Sequence, residues 1–151
     1  MNYTVLVVDD ETDQRRALVE RVEWQKAGFE VVGEAENGIE AIDLIDTLEP
    51  DLIMTDIKMP MMTGLELAEK VHNERPATQV VILSGYDSFD YARKAINYNI
   101  ISYLLKPISS AELSEELFNI KKRMDERMQS ITSGPDESTQ GVSRRLYVDE
   151  F

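Results

Sequence analysis

The chain has 151 residues, 42% of them hydrophobic and 30% charged, enough for one domain with a packed core and a short remainder. A formal net charge of −13 argues against direct binding to a nucleic-acid backbone, whose phosphates Lys and Arg must neutralise, and suits a divalent cation or a basic partner, with much of the acid simply solvated surface. Cysteine is absent, which excludes disulfides and thiolate metal sites. No apolar run approaches the ~20 residues of a membrane span, and the acidic start MNYTVLVVDDE lacks the pattern of a secretion signal. A cytoplasmic location away from the membrane is expected.

Short apolar runs then alternate with helical patterns. The spacing predicts a strand over Thr4–Val8 and a helix over Arg15–Lys26, with Leu18 and Val22 on one side. A second strand, Val31–Ala35, closes at the turn signal Asn37-Gly38. The second helix, Ile39–Leu48, carries Ala41, Ile42, Leu44, Ile45 and Leu48 as one stripe. After Pro50 come a third strand, Asp51–Thr55, and a helix, Gly64–Asn73, with Leu65, Leu67, Ala68 and Val71 as its apolar side. Gln79–Leu83 is the fourth strand, Phe89–Tyr98 a short helix and Ile101–Leu105 the fifth strand.

The last helix runs from Ser109 to about Ile131, opened by the capping-box pair Ser109 and Glu112. Leu113, Leu117, Ile120, Met124 and Ile131 form its stripe. One reading has this helix outrun the domain beyond about Arg123 and pair with another chain through Met124–Ile131. Residues 1–131 are expected to form the domain. Residues 132–151, rich in Ser, Thr, Gly and Pro, read as a linker or flexible tail, with Leu146-Tyr147-Val148 as a docking alternative. His72 and Trp24 read as a surface residue and a helix-end packing residue, and Met59, Met61 and Met62 as flexible filling in a loop.

Near-continuous Val/Ile/Leu strands separated by helices imply an α/β domain with a parallel sheet covered on both faces. Such sheets bind ligands beyond the carboxyl ends of their strands, where the strand order reverses. Polar residues stand at four of those five ends: Asp9 and Asp10, Asp56, Ser84 and Lys106. Each alone has a bland explanation, since acids after strands cap helices and Lys-Pro is a common loop pair. Together they converge on one edge. Packed carboxylates repel unless a cation separates them, and an oxygen donor set without Cys or His favours Mg2+. A carboxylate can also act as nucleophile toward phosphorus, with a metal, an ammonium and a hydroxyl stabilising the transferred group.

The segments VLVVDDE, PDLIMTDIKMPMMTGLEL, VVILSGYDSFDYA and ISYLLKPI resemble the motifs of response-regulator receiver domains of two-component systems, in order and spacing over about Asn2–Met128. GYDSFDYA further resembles receivers found ahead of AraC-type helix-turn-helix output domains. The resemblance implies a flavodoxin-like, doubly wound five-stranded parallel sheet of order 2-1-3-4-5. It implies that Asp56 accepts a phosphoryl group from a sensor histidine kinase. Asp10 would bind Mg2+ directly and Asp9 largely through water, with Asp56 and the Lys58 carbonyl completing the protein ligands. Ser84 and Lys106 would contact the phosphoryl group, Tyr103 would be the aromatic switch, and Lys106-Pro107 would be cis. Lys58 and Tyr86 occupy positions that resemble those tuning phosphoryl lifetime. A homodimer on phosphorylation is expected, through the face of Phe89–Tyr98, the last helix and the fifth strand. DNA would be reached only through an output domain, for which the residues after the last helix are too few.

Three rivals share some of these features. A haloacid-dehalogenase-type phosphatase also uses a strand-end Asp, but needs a second acid two residues on, where Lys58 stands, and places its nucleophile after the first strand. A flavin-binding flavodoxin needs a neutral phosphate cradle where Asp9-Asp10-Glu11 would repel phosphate. A receiver-like interaction module that is never phosphorylated needs no intact acid set. The expected protein is a signalling domain that assists only its own phosphorylation and dephosphorylation, and not an enzyme acting on other substrates.

Overall fold

The structure, a computed structural model, describes residues 2–85, 98 and 100–133. Five strands, β1 (Tyr3–Val8), β2 (Phe29–Ala35), β3 (Leu52–Thr55), β4 (Gln79–Ser84) and β5 (Ser102–Leu105), pair in parallel in the order β2-β1-β3-β4-β5. The described helices are α1 (Thr12–Arg21), α2 (Gly38–Leu48), α3 (Gly64–Glu74) and α4 (Ser110–Ser133). The helix expected over Phe89–Tyr98 lies outside the described residues except for Tyr98, as does Tyr86. Among the described residues no helix is long and apolar enough to cross a membrane.

Pleating divides the apolar runs between two cores, because successive strand side chains point to opposite faces. Leu6, Val8, Ile53, Val80, Ile82 and Tyr103 meet Ala41 and Ile45 of α2 and Leu67, Ala68 and Val71 of α3. Val5, Val7, Leu52, Met54, Val81 and Leu83 meet Trp24, Ala27 and the α4 residues Leu113, Leu117, Ile120 and Met124. Each fully buried Leu or Ile here contributes about 2 kcal/mol through removal from water. Both faces of the central strands are therefore covered, which is why they read as continuous hydrophobic runs.

Local chemistry shifts several element ends from their expected places. α1 starts at Thr12 and stops at Arg21, because Val22 turns extended (φ −81°, ψ 137°). Val22 and Trp24 are thereby buried, and Trp24 Nε1 donates to the Leu18 carbonyl at 3.2 Å. A 3-10 turn, Gln25–Ala27, replaces the rest of the expected helix and ends at Gly28, whose φ of +91° suits glycine. Asn37 is a helix cap: its side chain accepts from the Glu40 amide at 2.8 Å and opens α2. Thr63 and Glu66 form a full capping box on α3 that the apolar periodicity did not reveal. The Ser109–Glu112 box is present, with distances of 3.3 and 3.1 Å.

α4 does not leave the domain at Arg123. Met124 and Arg127 are buried. Arg123 donates to the Ile101 carbonyl at 3.0 Å, Tyr3 Oη donates to Asp125 at 2.6 Å, and Arg127 donates to the Gln79 side chain. These polar contacts continue the apolar stripe along the sheet and hold the helix where the sequence offers only one more apolar turn. Met128 is the first large apolar side chain of this turn to stand exposed.

Candidate functional site

The order β2-β1-β3-β4-β5 reverses between β1 and β3, so a crevice opens beyond their carboxyl ends. Backbone bonds fix the edges of this crevice. The Asp56 amide donates to the Val8 carbonyl at 3.1 Å, and the Lys106 amide to the Ser84 carbonyl at 2.8 Å. Asp9, Asp10 and Asp56 each place one carboxylate oxygen so that all three lie within 4.8 Å of one another. Asp9 is buried, Asp56 half-buried and Asp10 exposed.

Lys106 Nζ sits across this cluster, 3.3 Å from Asp9 Oδ2 and 3.5 Å from Asp56 Oδ2. It also donates to Gln14 Oε1 at 3.1 Å. Asp9 Oδ1 accepts the Glu11 amide at 2.9 Å, and Asp56 Oδ1 the Ile57 amide at 2.7 Å. Burial pushes the Asp56 carboxyl above its usual range. The Lys106 ammonium and the Ile57 amide pull it down without reversing this, and Asp9 adds to the rise. One lysine thus faces three acids, and the donor set is all oxygen. That fits a small hard divalent cation such as Mg2+.

Ser84 ends β4, fully buried, and Tyr103 is buried between the sheet and the α2–α3 layer. Lys58 is exposed in the loop after β3. The Lys106-Pro107 bond is cis. The three acids, Lys106 and Ser84 therefore share one edge as the sequence predicts. His72 is partly buried, and it belongs to no group of potential metal ligands among the described residues.

Two further residues shape the pocket and were not picked out from the sequence. Gly64 donates to the Ile57 carbonyl at 2.7 Å, and a Cβ there would lie 2.0 Å from the Asp56 carbonyl oxygen. Arg15 is buried, and its Nη1 donates to the Asp9 carbonyl at 2.6 Å. Its signal was its place at helical spacing from Leu18 and Val22 in the expected helix, where a charged residue is out of pattern.

The response regulator receiver domain model matches residues 5–118. Among curated proteins, the uncharacterized transcriptional regulatory protein YesN of Bacillus subtilis is 38% identical over 126 residues, which cover 82% of this chain and 34% of that protein. The transcriptional regulatory protein HptR of Staphylococcus aureus is 35% identical over 111 residues, covering 74% and 43% respectively. The chain thus spans between about a third and a half of the length of these relatives. Among solved structures, the REC domain of AraT, a response regulator from Geobacillus stearothermophilus, superposes with a TM-score of 0.77 at 34% identity, covering 85% of this chain and 99% of that one. A two-component transcriptional regulator AraC from Clostridium phytofermentans gives 0.75 at 30% identity, covering 84% and 98%. The fold is flavodoxin-like, and with the acids and the lysine at one strand edge and a family match over most of its length, this chain belongs to the response regulator receiver domains of two-component signalling.

Proposed function

We propose that Asp56 accepts a phosphoryl group from the phosphohistidine of a sensor histidine kinase and that this event resets the surface the domain presents to its partners. The observation that carries the reading is the convergence of the Asp9, Asp10 and Asp56 carboxylates within 4.8 Å, with Lys106 Nζ 3.5 Å from Asp56 Oδ2. An Asp56 oxygen would attack phosphorus as the phosphorus–nitrogen bond breaks. The electron pair of that bond stays on the imidazole, which takes up a proton, and Asp56 becomes an acyl phosphate. Lys106 would pair with the phosphoryl oxygens and the Ser84 hydroxyl would hydrogen-bond them. Tyr103 would then respond to the movement of Ser84 as a two-state element.

Asp10 would hold Mg2+ directly and Asp9 largely through water, with Asp56 and the Lys58 carbonyl as the other protein ligands. Bound there, the ion supplies positive charge against the phosphoryl oxygens. Any catalysis is confined to the domain's own phosphorylation and dephosphorylation, with Lys58 and Tyr86 tuning the lifetime of the acyl phosphate. A cavity of about 650 Å³ lies beside the acids, lined among others by Asp9, Leu18, Val22, Lys106, Ile108 and Leu113, and the partner expected at this edge is a sensor histidine kinase. The receiver unit would end near residue 131, with 132–151 as linker or tail, in a cytoplasmic protein controlling transcription through a separate output domain.

Acetyl phosphate with Mg2+ is expected to add one phosphoryl group, read by intact mass, and EDTA is expected to abolish the addition. Labelling unchanged by EDTA would contradict the metal assignment. A chain that takes no phosphoryl group from any small donor would instead favour the interaction module that works without phosphorylation. Beryllofluoride, a phosphoryl mimic, is expected to raise the mass measured by light scattering toward a dimer. An unchanged mass across micromolar concentrations would count against a phosphorylation-driven homodimer.

A further inference from the structure

The turn after β1 delivers two of the three pocket acids on consecutive residues. The orientation of the single peptide between them therefore sets where Asp10 points relative to Asp9. The polar groups of Asp9 are committed. Its amide donates to the Ala35 carbonyl on β2 at 3.0 Å. One carboxylate oxygen accepts the Glu11 amide at 2.9 Å, and the other lies 3.3 Å from Lys106 Nζ. Its carbonyl, which belongs to the Asp9–Asp10 peptide itself, accepts from Arg15 Nη1 at 2.6 Å.

Arg15 is anchored from behind. Its Nε donates to Glu34 Oε1 on β2 at 3.1 Å, while Glu34 Oε2 is held by Arg16 Nη1 at 2.5 Å. The two arginines differ in kind. The Arg16 side chain is 52% exposed and makes an ordinary surface ion pair, worth little by itself. The Arg15 side chain is only 11% exposed. Its planar fork spans a backbone carbonyl and a carboxylate at once, a geometry that a lysine ammonium on a flexible stem does not reproduce. A buried arginine needed only for an ion pair with Glu34 has no reason to direct its other arm at the peptide that carries the acids.

We propose that Arg15 is a positioning residue for the acid pocket: it braces the Asp9–Asp10 peptide so that both carboxylates face Asp56, and so sets the affinity for the divalent cation. The inference rests on the proposed reading of that pocket as a Mg2+ site and adds a residue outside the acid set. Groups that orient metal ligands without touching the metal typically change affinity by about 10–100-fold when replaced. Arg15→Lys keeps the charge but loses the two-armed brace. Glu34→Ala leaves Arg15 in place and removes its anchor.

The test is calorimetric titration with MgCl2 of the parent, Arg15→Lys, Glu34→Ala and Asp10→Asn. It is accompanied by thermal melts in EDTA and by labelling rates with acetyl phosphate. The parent is expected to bind Mg2+ and Asp10→Asn to lose binding. Arg15→Lys is expected to bind about tenfold more weakly, with its labelling rate returning to the parent's at saturating Mg2+. Glu34→Ala, which keeps the fork, is expected to bind a few-fold more weakly and serves if Arg15→Lys does not fold. Absence of Mg2+ binding in the parent would overturn the metal reading and the Arg15 role together. Binding in the parent, with a folded Arg15→Lys or Glu34→Ala within twofold of it, would overturn the Arg15 role alone. So would a lower melting temperature without any change in Mg2+ affinity, which is what a purely structural arginine gives.

Discussion

Gly64→Ala is expected to destabilise the domain by about 3 kcal/mol, the upper part of the range for forcing extra atoms into a packed site, and to slow phosphorylation of Asp56 at the same time. The added methyl would sit 2.0 Å from the Asp56 carbonyl oxygen and 3.0 Å from the Ile57 Cα. These are backbone atoms of the loop that carries Asp56, so no side-chain rotation relieves the clash. Either α3 moves off the Ile57 carbonyl, losing the 2.7 Å bond from the Gly64 amide, or the loop after β3 shifts and takes Asp56 with it. Urea denaturation with an unchanged slope would measure the loss. A variant as stable as the parent and labelled at the same rate would show that the close approach is not required.

The second large effect has the opposite sign. Burial raises the Asp56 carboxyl above its ordinary value of 3.8, against the opposing pull of Lys106 and the Ile57 amide. The folded state therefore holds the proton more tightly than the unfolded chain, and an ionised Asp56 lowers stability at neutral pH. That loss is absent below the unfolded value and sets in as pH rises through the raised one. Two like charges ~4 Å apart repel by about 4 kcal/mol at an effective dielectric near 20. With Lys106 offsetting part of this, neutralising one acid should recover on the order of 1–2 kcal/mol.

Asp56→Asn keeps an oxygen to accept the Ile57 amide and removes the charge. In EDTA at neutral pH it is expected to melt above the parent, by about 4 °C for each kcal/mol recovered. The gap should close as the pH falls through the raised pKa and vanish below the ordinary carboxylate value. Millimolar Mg2+ should lift the parent more than the variant, because the ion binds only the assembled site. An Asn variant melting at or below the parent at every pH, with Mg2+ shifting neither, would contradict a strained acid pocket.

The strands and the site edge were legible because they follow from periodicity. Continuous apolar runs such as Val80–Leu83 had to be covered on both faces, and the residues just past each run had to share an edge. What was not legible depended on contacts distant in sequence. α1 stops at Arg21 where Val22 turns extended, and Trp24 then bonds the Leu18 carbonyl, a contact that helical spacing does not encode. α4 stays on the sheet past Arg123 because Tyr3 of β1, Ile101 just before β5 and Gln79 of β4 supply polar partners, and a weakening apolar stripe does not by itself distinguish this from a departing helix. At the site, the acids announce themselves by chemistry and by family motifs. Gly64 and Arg15 act through backbone groups of Asp56 and Asp9, and a sequence shows side chains only.

Asp56, and no other acid of the pocket, is expected to carry the phosphoryl group. An acyl phosphate is reduced by borohydride to the alcohol, so a phosphorylated aspartate is converted to homoserine and marked permanently. The protein treated with acetyl phosphate and Mg2+, reduced and digested, should show homoserine at position 56 by tandem mass spectrometry, with Asp9 and Asp10 unaltered. Homoserine at position 9 or 10, or an Asp56→Asn variant that takes up phosphoryl as fully as the parent, would contradict Asp56 as the acceptor.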